Sequence, residues 1–208
     1  MKQVAVIGLG RFGSSVARTL ADSGCEVLAV DADESRVKAI ADEVTDAVRA
    51  NALDEEALRA LGLRNFEVVV VAIGHEVQAS ILTTVLLKEM GIPKIVAKAQ
   101  DDLHGRVLQK VGADVVVYPE RDMGVRLAHT LISRNVIDEI QLSTDYSILE
   151  MAAPHAFLGR NLKELELRQR FGLSVLAIRR KDRIIVSPNA EQIVEEGDIL
   201  VVLGQPDK

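Results

Sequence analysis

Tryptophan is absent from this sequence, and Phe, Tyr and Trp together supply only 3% of its residues. That shortage removes the stacking platforms on which single-stranded nucleic acid is held. There is one cysteine, Cys25, which excludes an internal disulfide and suits a reducing compartment. Its place just before an apolar strand reads as that of a half-buried small residue. Positive charge is also short: 31 Asp and Glu face 25 Lys and Arg, a formal charge of −6 with a pI near 5.3. Such a balance argues against a nucleic-acid partner or an anionic membrane surface. Nor does any apolar run approach the roughly 20 residues of a membrane span. The run after Met1-Lys2-Gln3 is cut at Gly8 and Gly10, and the strongest later one, residues 68–74, is strand-length. The expectation is a soluble, cytoplasmic chain without a signal peptide, which meets a membrane only through a partner.

What is present is core-forming material. Hydrophobic residues make up 48% of the 208, with a mean hydropathy of +0.16, enough for one large domain or a medium domain plus a small one. Apolar strands at 3–8, 26–31, 47–51, 66–74, 94–99 and 114–119 alternate with helical stretches at 11–23, 34–43, 54–62, about 75–90 and 102–111. Asp54 is placed to cap the third helix and Gly62 to follow its end. All-apolar strands alternating with helices predict a doubly wound α/β domain: a parallel sheet covered on both faces. After Pro119 the alternation stops. Residues 120–136 read as one long helix, followed by strand-like pieces at 146–154, 173–180, 182–187 and 198–204 and a short helix near 161–166. Lys181-Asp182 is placed at a hairpin turn. The expected organisation is a Rossmann-like domain over 1–118, a crossover helix over 119–136 and a small α+β lobe over 137–208.

The stretch "AVIGLGRFGSSVARTL" puts Gly8, Gly10 and Gly13 between a strand and a helix, the context in which a G-x-G-x-x-G pattern gains meaning. Gly8 permits the tight turn, Gly10 lets a pyrophosphate approach the backbone, and Gly13 lets helix and strand pack closely. The helix N-terminus supplies free N–H groups for phosphate. Arg11 and Phe12 lie within this loop. Asp31 ends the second strand, 18 positions after Gly13, where a carboxylate accepts ribose hydroxyls. Asp33 follows beyond Ala32, and two carboxylates there disfavour the 2′-phosphate of NADP. Asn51 and Ala52, after the third strand, suit an adenine edge, although Asn51 suits a turn equally. Ala72, Ile73 and Gly74 end the fourth strand at the crevice, with His75 next. Lys98 and Glu120 stand on the same carboxyl edge; a solvated lysine and a helix-end glutamate account for them equally.

No catalytic set emerges. Tyr118 and Tyr146 are followed four positions on by Asp122 and Glu150, not by the lysine a short-chain dehydrogenase uses. His75, His104, His129 and His155 are scattered without partners at catalytic or metal-ligand spacing. From these residues alone an NAD-dependent oxidoreductase, an NAD(H) redox sensor and a dimerisation module with a vestigial pocket remain open.

The segments "VAVIGLGRFGSSVARTL", "VLAVD", "NFEVVVVAIG", "ILTTVLLKE", "VLQKVGADVVVYPERDMGVRLA" and "GDILVVLG" resemble the cytosolic regulatory subunits of Ktr/Trk-type potassium-uptake systems, built from an RCK (KTN) N-lobe and an RCK C-lobe. The resemblance implies a non-enzymatic subunit whose N-lobe binds ATP or ADP. It implies homodimers that assemble into octameric rings, peripheral at the cell membrane beneath a potassium-translocating subunit. It assigns Arg11 to the terminal phosphate of an ATP held by the neighbouring protomer, and Asp31 to the ribose. It assigns Glu120 to a cation (Mg²⁺, Ca²⁺ or Na⁺) near the phosphates. It also implies cyclic di-AMP between two C-lobes, against Arg168, Ile178 and Pro188 or their neighbours.

Overall fold

The computed structural model describes residues 2–132, 136–143 and 145–205, leaving aside the side chain of His129. The chain forms two compact units, Met1–Arg121 and Asp122–Lys208.

In the first unit, β1 (Gln3–Ile7), β2 (Glu26–Asp31), β3 (Asp46–Arg49), β4 (Val68–Val71), β5 (Ile95–Lys98) and β6 (Val115–Val117) form one parallel sheet in the order β3-β2-β1-β4-β5-β6. The strand order reverses between β1 and β4, which pair in register from Val4↔Val68 to Ile7↔Val71. Side chains alternate across the sheet with period two, so the strands feed two separate cores. Ala5, Ile7, Val30 and Val71 pack against Leu58, Leu87 and Leu108 of α3 (Glu55–Ala60), α4 (Val77–Glu89) and α5 (Asp102–Val111). Val4, Val6 and Ala29 pack on the other face against Ala17, Val37 and Ile40 of α1 (Arg11–Asp22) and α2 (Glu34–Ile40). Both faces are covered, as the run of apolar strands requires. The doubly wound domain expected from the sequence is the one found.

Helix α6 (Pro119–Ile132) continues into the second unit. It ends earlier than the helix expected over 120–136, because Val136 already belongs to a strand, β7 (Val136–Gln141), which the sequence reading missed. The carboxylates of "VIDEIQ" hid it. Each has a local partner: Arg126 of α6 makes a two-pronged contact with Asp138, its Nε donating at 2.7 Å, and Ser147 donates to Glu139 at 2.6 Å. β7 pairs antiparallel with β8 (Ser147–Ala152), and with β9 (Ser174–Arg180), β10 (Arg183–Val186) and β11 (Ile199–Gly204) it forms a sheet ordered β10-β9-β11-β8-β7. Arg180 pairs with Arg183, so Lys181-Asp182 forms the two-residue turn that was expected. Helices α7 (Leu162–Leu165) and α8 (Leu167–Phe171) cover a core of Leu149, Leu165, Leu167, Ile178, Val194, Leu200 and Val202. This is the α+β lobe.

One charged pair is built into that lobe. Asp198 is 1% exposed. Arg180 Nε and Nη2 donate to its two oxygens at 2.8 Å each, Glu195 N–H donates to Oδ2 at 2.8 Å, and Arg180 Nη2 also donates to the Ile193 carbonyl at 2.9 Å. Burial alone would push the Asp198 carboxyl up. The Arg180 and Glu195 hydrogen bonds outweigh it and hold the group below its ordinary 3.8. A carboxyl depressed in the folded state adds stability above its unfolded value and loses it as the pH falls through the folded one. The contribution is therefore full above about pH 4 and fades below. Asp198→Ala should destabilise the lobe by roughly 2 kcal/mol at neutral pH, since Arg180 and Glu195 N–H lose their buried acceptor and Arg180 keeps only Glu195 and the Ile193 carbonyl. Native-state hydrogen exchange in β9 and β11 reads this directly, and the gap to wild type should close in acid. A gap independent of pH would remove Asp198 as the cause.

Candidate functional site

The site begins where β1 runs into α1. Gly8 has φ +97°, and a Cβ there would lie 2.9 Å from the Ala72 and Ile73 backbone. A Cβ on Gly13 would lie 1.8 Å from the Gly8 carbonyl oxygen; this glycine is buried and serves helix–strand packing, not the cleft surface. Gly10 differs: a Cβ would meet nothing within 4 Å. Here the glycine leaves an open approach to the backbone. Asp33, Asp54 and Asp101 close the N-termini of α2, α3 and α5 with side-chain hydrogen bonds. Helix α1 starts at Gly10 with no such cap, so its first N–H groups face the cleft unclaimed by a side chain.

Asp31, at the end of β2, is 9% exposed. Its Oδ2 accepts from Leu9 N–H at 2.6 Å and its Oδ1 from Asp33 N–H at 2.8 Å. A carboxylate offers about four acceptor positions, so capacity remains toward the cleft. Asp33, expected to join Asp31 at the cofactor, is placed elsewhere. Its carboxylate turns back to accept from Ser35 N–H at 2.8 Å and Ser35 Oγ at 2.6 Å, and Asp33 does not line the cleft. Those bonds from Ser35 hold its carboxyl below the ordinary value.

The cleft encloses about 470 Å³, a size usual for small-molecule sites. Gly8, Gly10, Arg11, Phe12, Asp31 and Ala32 line one side. Asn51, Ala52, Ala72, Ile73, Gly74, His75, Lys98 and Glu120 line the rest. The sequence reading thus brought most of the lining together. Asn51 makes the turn contact foreseen as its alternative, its Oδ1 accepting from Leu53 N–H at 3.0 Å, and it borders the cleft as well. Six further lining residues were missed: Ile7, Arg36, Ala50, Leu53, Glu76 and Ala79. The available signal was position. Arg36 lies one turn into the helix after Asp31, on the side facing back over β2.

At the far end of the cleft, Lys98 Nζ lies 2.5 Å from Glu120 Oε1 and 5.8 Å from the centre of the Phe12 ring. The lysine side chain is only 11% exposed and the glutamate 71%. The Lys98 hydrogen bond holds the Glu120 carboxyl below its ordinary 4.5, with the positive field of His75 adding to it. Glu120 is therefore neutralised within the chain. Among the described residues no group of three or more His, Cys, Asp or Glu could hold a metal ion. Arg11 has no such partner: among the described residues it makes no hydrogen bond or ion pair, and it is exposed.

In the second unit Arg168 is exposed on α8 and Pro188 is half-buried after β10. Ile178 corrects its assignment to a ligand. It is 0% exposed in the lobe's core, and its backbone is paired to both Ile185 and Leu200.

Residues 4–119 match the TrkA-N domain and residues 146–208 the TrkA-C domain. The chain is 47% identical to the Ktr system potassium uptake protein C of Bacillus subtilis, over 98% of this chain and 92% of that one. It is 49% identical to the Ktr system potassium uptake protein A of the same organism, over 98% and 91%. It belongs to the KtrA/KtrC family of RCK subunits. The fold agrees. The GsuK channel bound to NAD superposes on 98% of this chain with a TM-score of 0.68 at 19% identity, this chain spanning 37% of that one. GsuK bound to ADP superposes on 62% of this chain with a TM-score of 0.55 at 25% identity, this chain spanning 34% of that one. In this family member, no helix among the described residues is long and apolar enough to cross a membrane.

The Lys98–Glu120 contact makes a direct prediction. Lys98→Met should move the Glu120 carboxyl upward toward its ordinary 4.5, because the donor that favours the ionised form is gone. Carboxyl NMR titration of the two proteins measures the shift. An unchanged Glu120 titration would show that Lys98 is not its partner in solution.

Proposed function

We propose that this chain is a nucleotide-responsive regulatory subunit of a potassium-uptake system. It binds ATP or ADP in the N-terminal cleft and thereby controls a membrane potassium-translocating partner, itself carrying out no reaction. The observation that carries the reading is the uncapped start of α1 at Gly10, flanked by the partnerless Arg11 and by Asp31. The near-full-length identity to Ktr system potassium uptake proteins supplies the potassium-uptake context, and GsuK bound to ADP supports an adenine nucleotide.

In this reading the α1 N–H groups and the Gly8–Gly10 backbone hold the phosphates, Asp31 holds the ribose, and the base lies against the loops after β2 and β3. Arg11 reaches a terminal phosphate, in the family arrangement that of a neighbouring protomer in a dimer and then an octameric ring. A nucleotide shifts such an assembly only by its difference in affinity for two states. Arg11 supplies that difference, because a charge-assisted bond to a third phosphate is available to ATP and not to ADP. Cations such as Mg²⁺, Ca²⁺ or Na⁺ would reach Glu120 with phosphate oxygens completing their shell, since among the described residues no group of three or more metal-ligating side chains surrounds it. Cyclic di-AMP at the second unit would rest on Arg168 and Pro188. The subunit would be cytoplasmic and peripheral. NAD(H) binding is the competing reading, favoured by the GsuK channel bound to NAD and by Asp31.

Calorimetry of the full chain with ATP, ADP and NADH separates these. ATP and ADP should bind and NADH should bind more weakly; NADH bound best would favour the redox-sensing alternative. Arg11→Ala should weaken ATP roughly tenfold or more while leaving ADP nearly unchanged. Asp31→Ala should weaken ATP and ADP alike, because both carry the ribose. Equal losses for the two nucleotides in Arg11→Ala would reassign Arg11 to holding the loop.

A further inference from the structure

We infer that Arg36 is the base-recognition residue of the cleft: its guanidinium stacks on the face of the nucleotide's purine. The inference rests on the nucleotide reading above and deepens it.

The loops after β2 and β3 form the end of the cleft where a base would lie, lined by Ala32, Arg36, Ala50, Asn51, Ala52 and Leu53. None of these is aromatic; the cleft's two rings, Phe12 and His75, come from the glycine loop and the segment after β4, with Phe12 5.8 Å from Lys98 Nζ. Four of the six residues are aliphatic. Asn51 is committed by its carbonyl oxygen to the turn at Leu53. Arg36 alone offers a broad, planar, delocalised face.

Its present contacts leave that face free. The guanidinium lies 3.6 Å from Asp31 Oδ2 and 3.7 Å from Asp33 Oδ2, its side chain 51% exposed. Those are ion-pair separations beyond hydrogen-bond range, and among the described residues the guanidinium donates no hydrogen bond. The two carboxylates tether the group by charge without fixing its plane. Asp31 itself is held by Leu9 and Asp33 N–H groups, so Arg36 can rotate without releasing it. A guanidinium is weakly hydrated and stacks on aromatic faces, which a lysine ammonium does not do in the same way. Anchored 3.6 Å from the acid that would hold the ribose, it is one sugar's reach from the base. Leu53, 44% exposed and lining the same end of the cleft, adds an apolar surface there.

The test is binding to the full chain of ATP, cytidine triphosphate, 2′-phospho-ATP and inorganic tripolyphosphate, in wild type, Arg36→Lys and Arg36→Met. The lysine variant keeps the charge beside Asp31 and Asp33, so it should fold normally while losing the stack. Arg36→Lys should weaken ATP roughly tenfold, narrow its advantage over cytidine triphosphate, and leave tripolyphosphate unchanged; Arg36→Met should do the same. Full ATP affinity in Arg36→Lys would overturn the proposal, reducing Arg36 to a neutralising charge. A parallel loss of tripolyphosphate would also overturn it, since the effect would then lie in the phosphate loop. Tighter wild-type binding of 2′-phospho-ATP than of ATP, lost in both variants, would overturn it in favour of a phosphate-binding arginine. Wild type that binds tripolyphosphate but no adenine nucleotide better than it would instead defeat the nucleotide reading itself.

Discussion

The carboxylate of Asp31 holds the candidate site together. It is a buried charge at the end of a central strand, and it accepts backbone N–H groups from two different loops: Leu9 of the glycine turn and Asp33 of the turn into α2. Neither loop has a strand partner at that point, so the carboxylate supplies the cross-link that sheet hydrogen bonds supply elsewhere. Gly13 completes the constraint from the other side by letting α1 close onto the Gly8 carbonyl. The glycine turn and the turn into α2 are thus fixed relative to each other by the chain's own bonds. A site organised in this way spends less of its binding energy on ordering loops.

The first unit was largely legible in the sequence because its signals are local. Six apolar strands and the glycine spacing need no knowledge of what packs on them, and the cleft residues follow from the carboxyl edge of a doubly wound sheet. The failures all required a partner that the sequence does not name. β7 looked like more helix because Asp138 and Glu139 are poor strand residues until Arg126 and Ser147 are placed beside them. Asp33 looked like a second carboxylate facing the cofactor until Ser35 took it. Ile178 was assigned to a ligand by resemblance, and only the pairing of β9 between β10 and β11 shows its side chain turned wholly into the core. Arg36 went unnoticed for the converse reason: nothing local marks an arginine one helical turn after an acid as facing a cleft.

Charge placement separates what is structural from what is available to a ligand. The Arg180–Asp198 pair is two-pronged at 2.8 Å, its acid wholly buried and its remaining donors satisfied by the Ile193 carbonyl and its remaining acceptor by Glu195 N–H. Loosening such a pair leaves the buried carboxylate short of its two strongest donors, while Arg180 keeps Glu195. The cleft is built in the opposite sense. Arg36 sits at 3.6 and 3.7 Å from its two acids, and Glu120 meets Lys98 from a side chain that is 71% exposed. These groups can exchange partners at little cost, because solvent or a ligand takes up whatever is released.

That contrast bears on how a nucleotide would act. A triphosphate brings several negative charges to a cleft in which two of the acids are already matched, Asp31 by N–H groups and Arg36, Glu120 by Lys98. The cations therefore need not be imported to make the approach favourable; they need only turn. Lys98 leaving Glu120 for a phosphate would release a carboxylate at the cleft's edge, and that carboxylate then requires a new positive partner. Arg11, exposed and unmatched among the described residues, needs no such release and is the cation free to respond to the length of the phosphate chain. On the proposed reading Arg11 and Arg36 stand at separate ends of the cleft, so their substitutions should act independently, whereas Asp31, 3.6 Å from Arg36 and bonded to the glycine turn, couples to both ends.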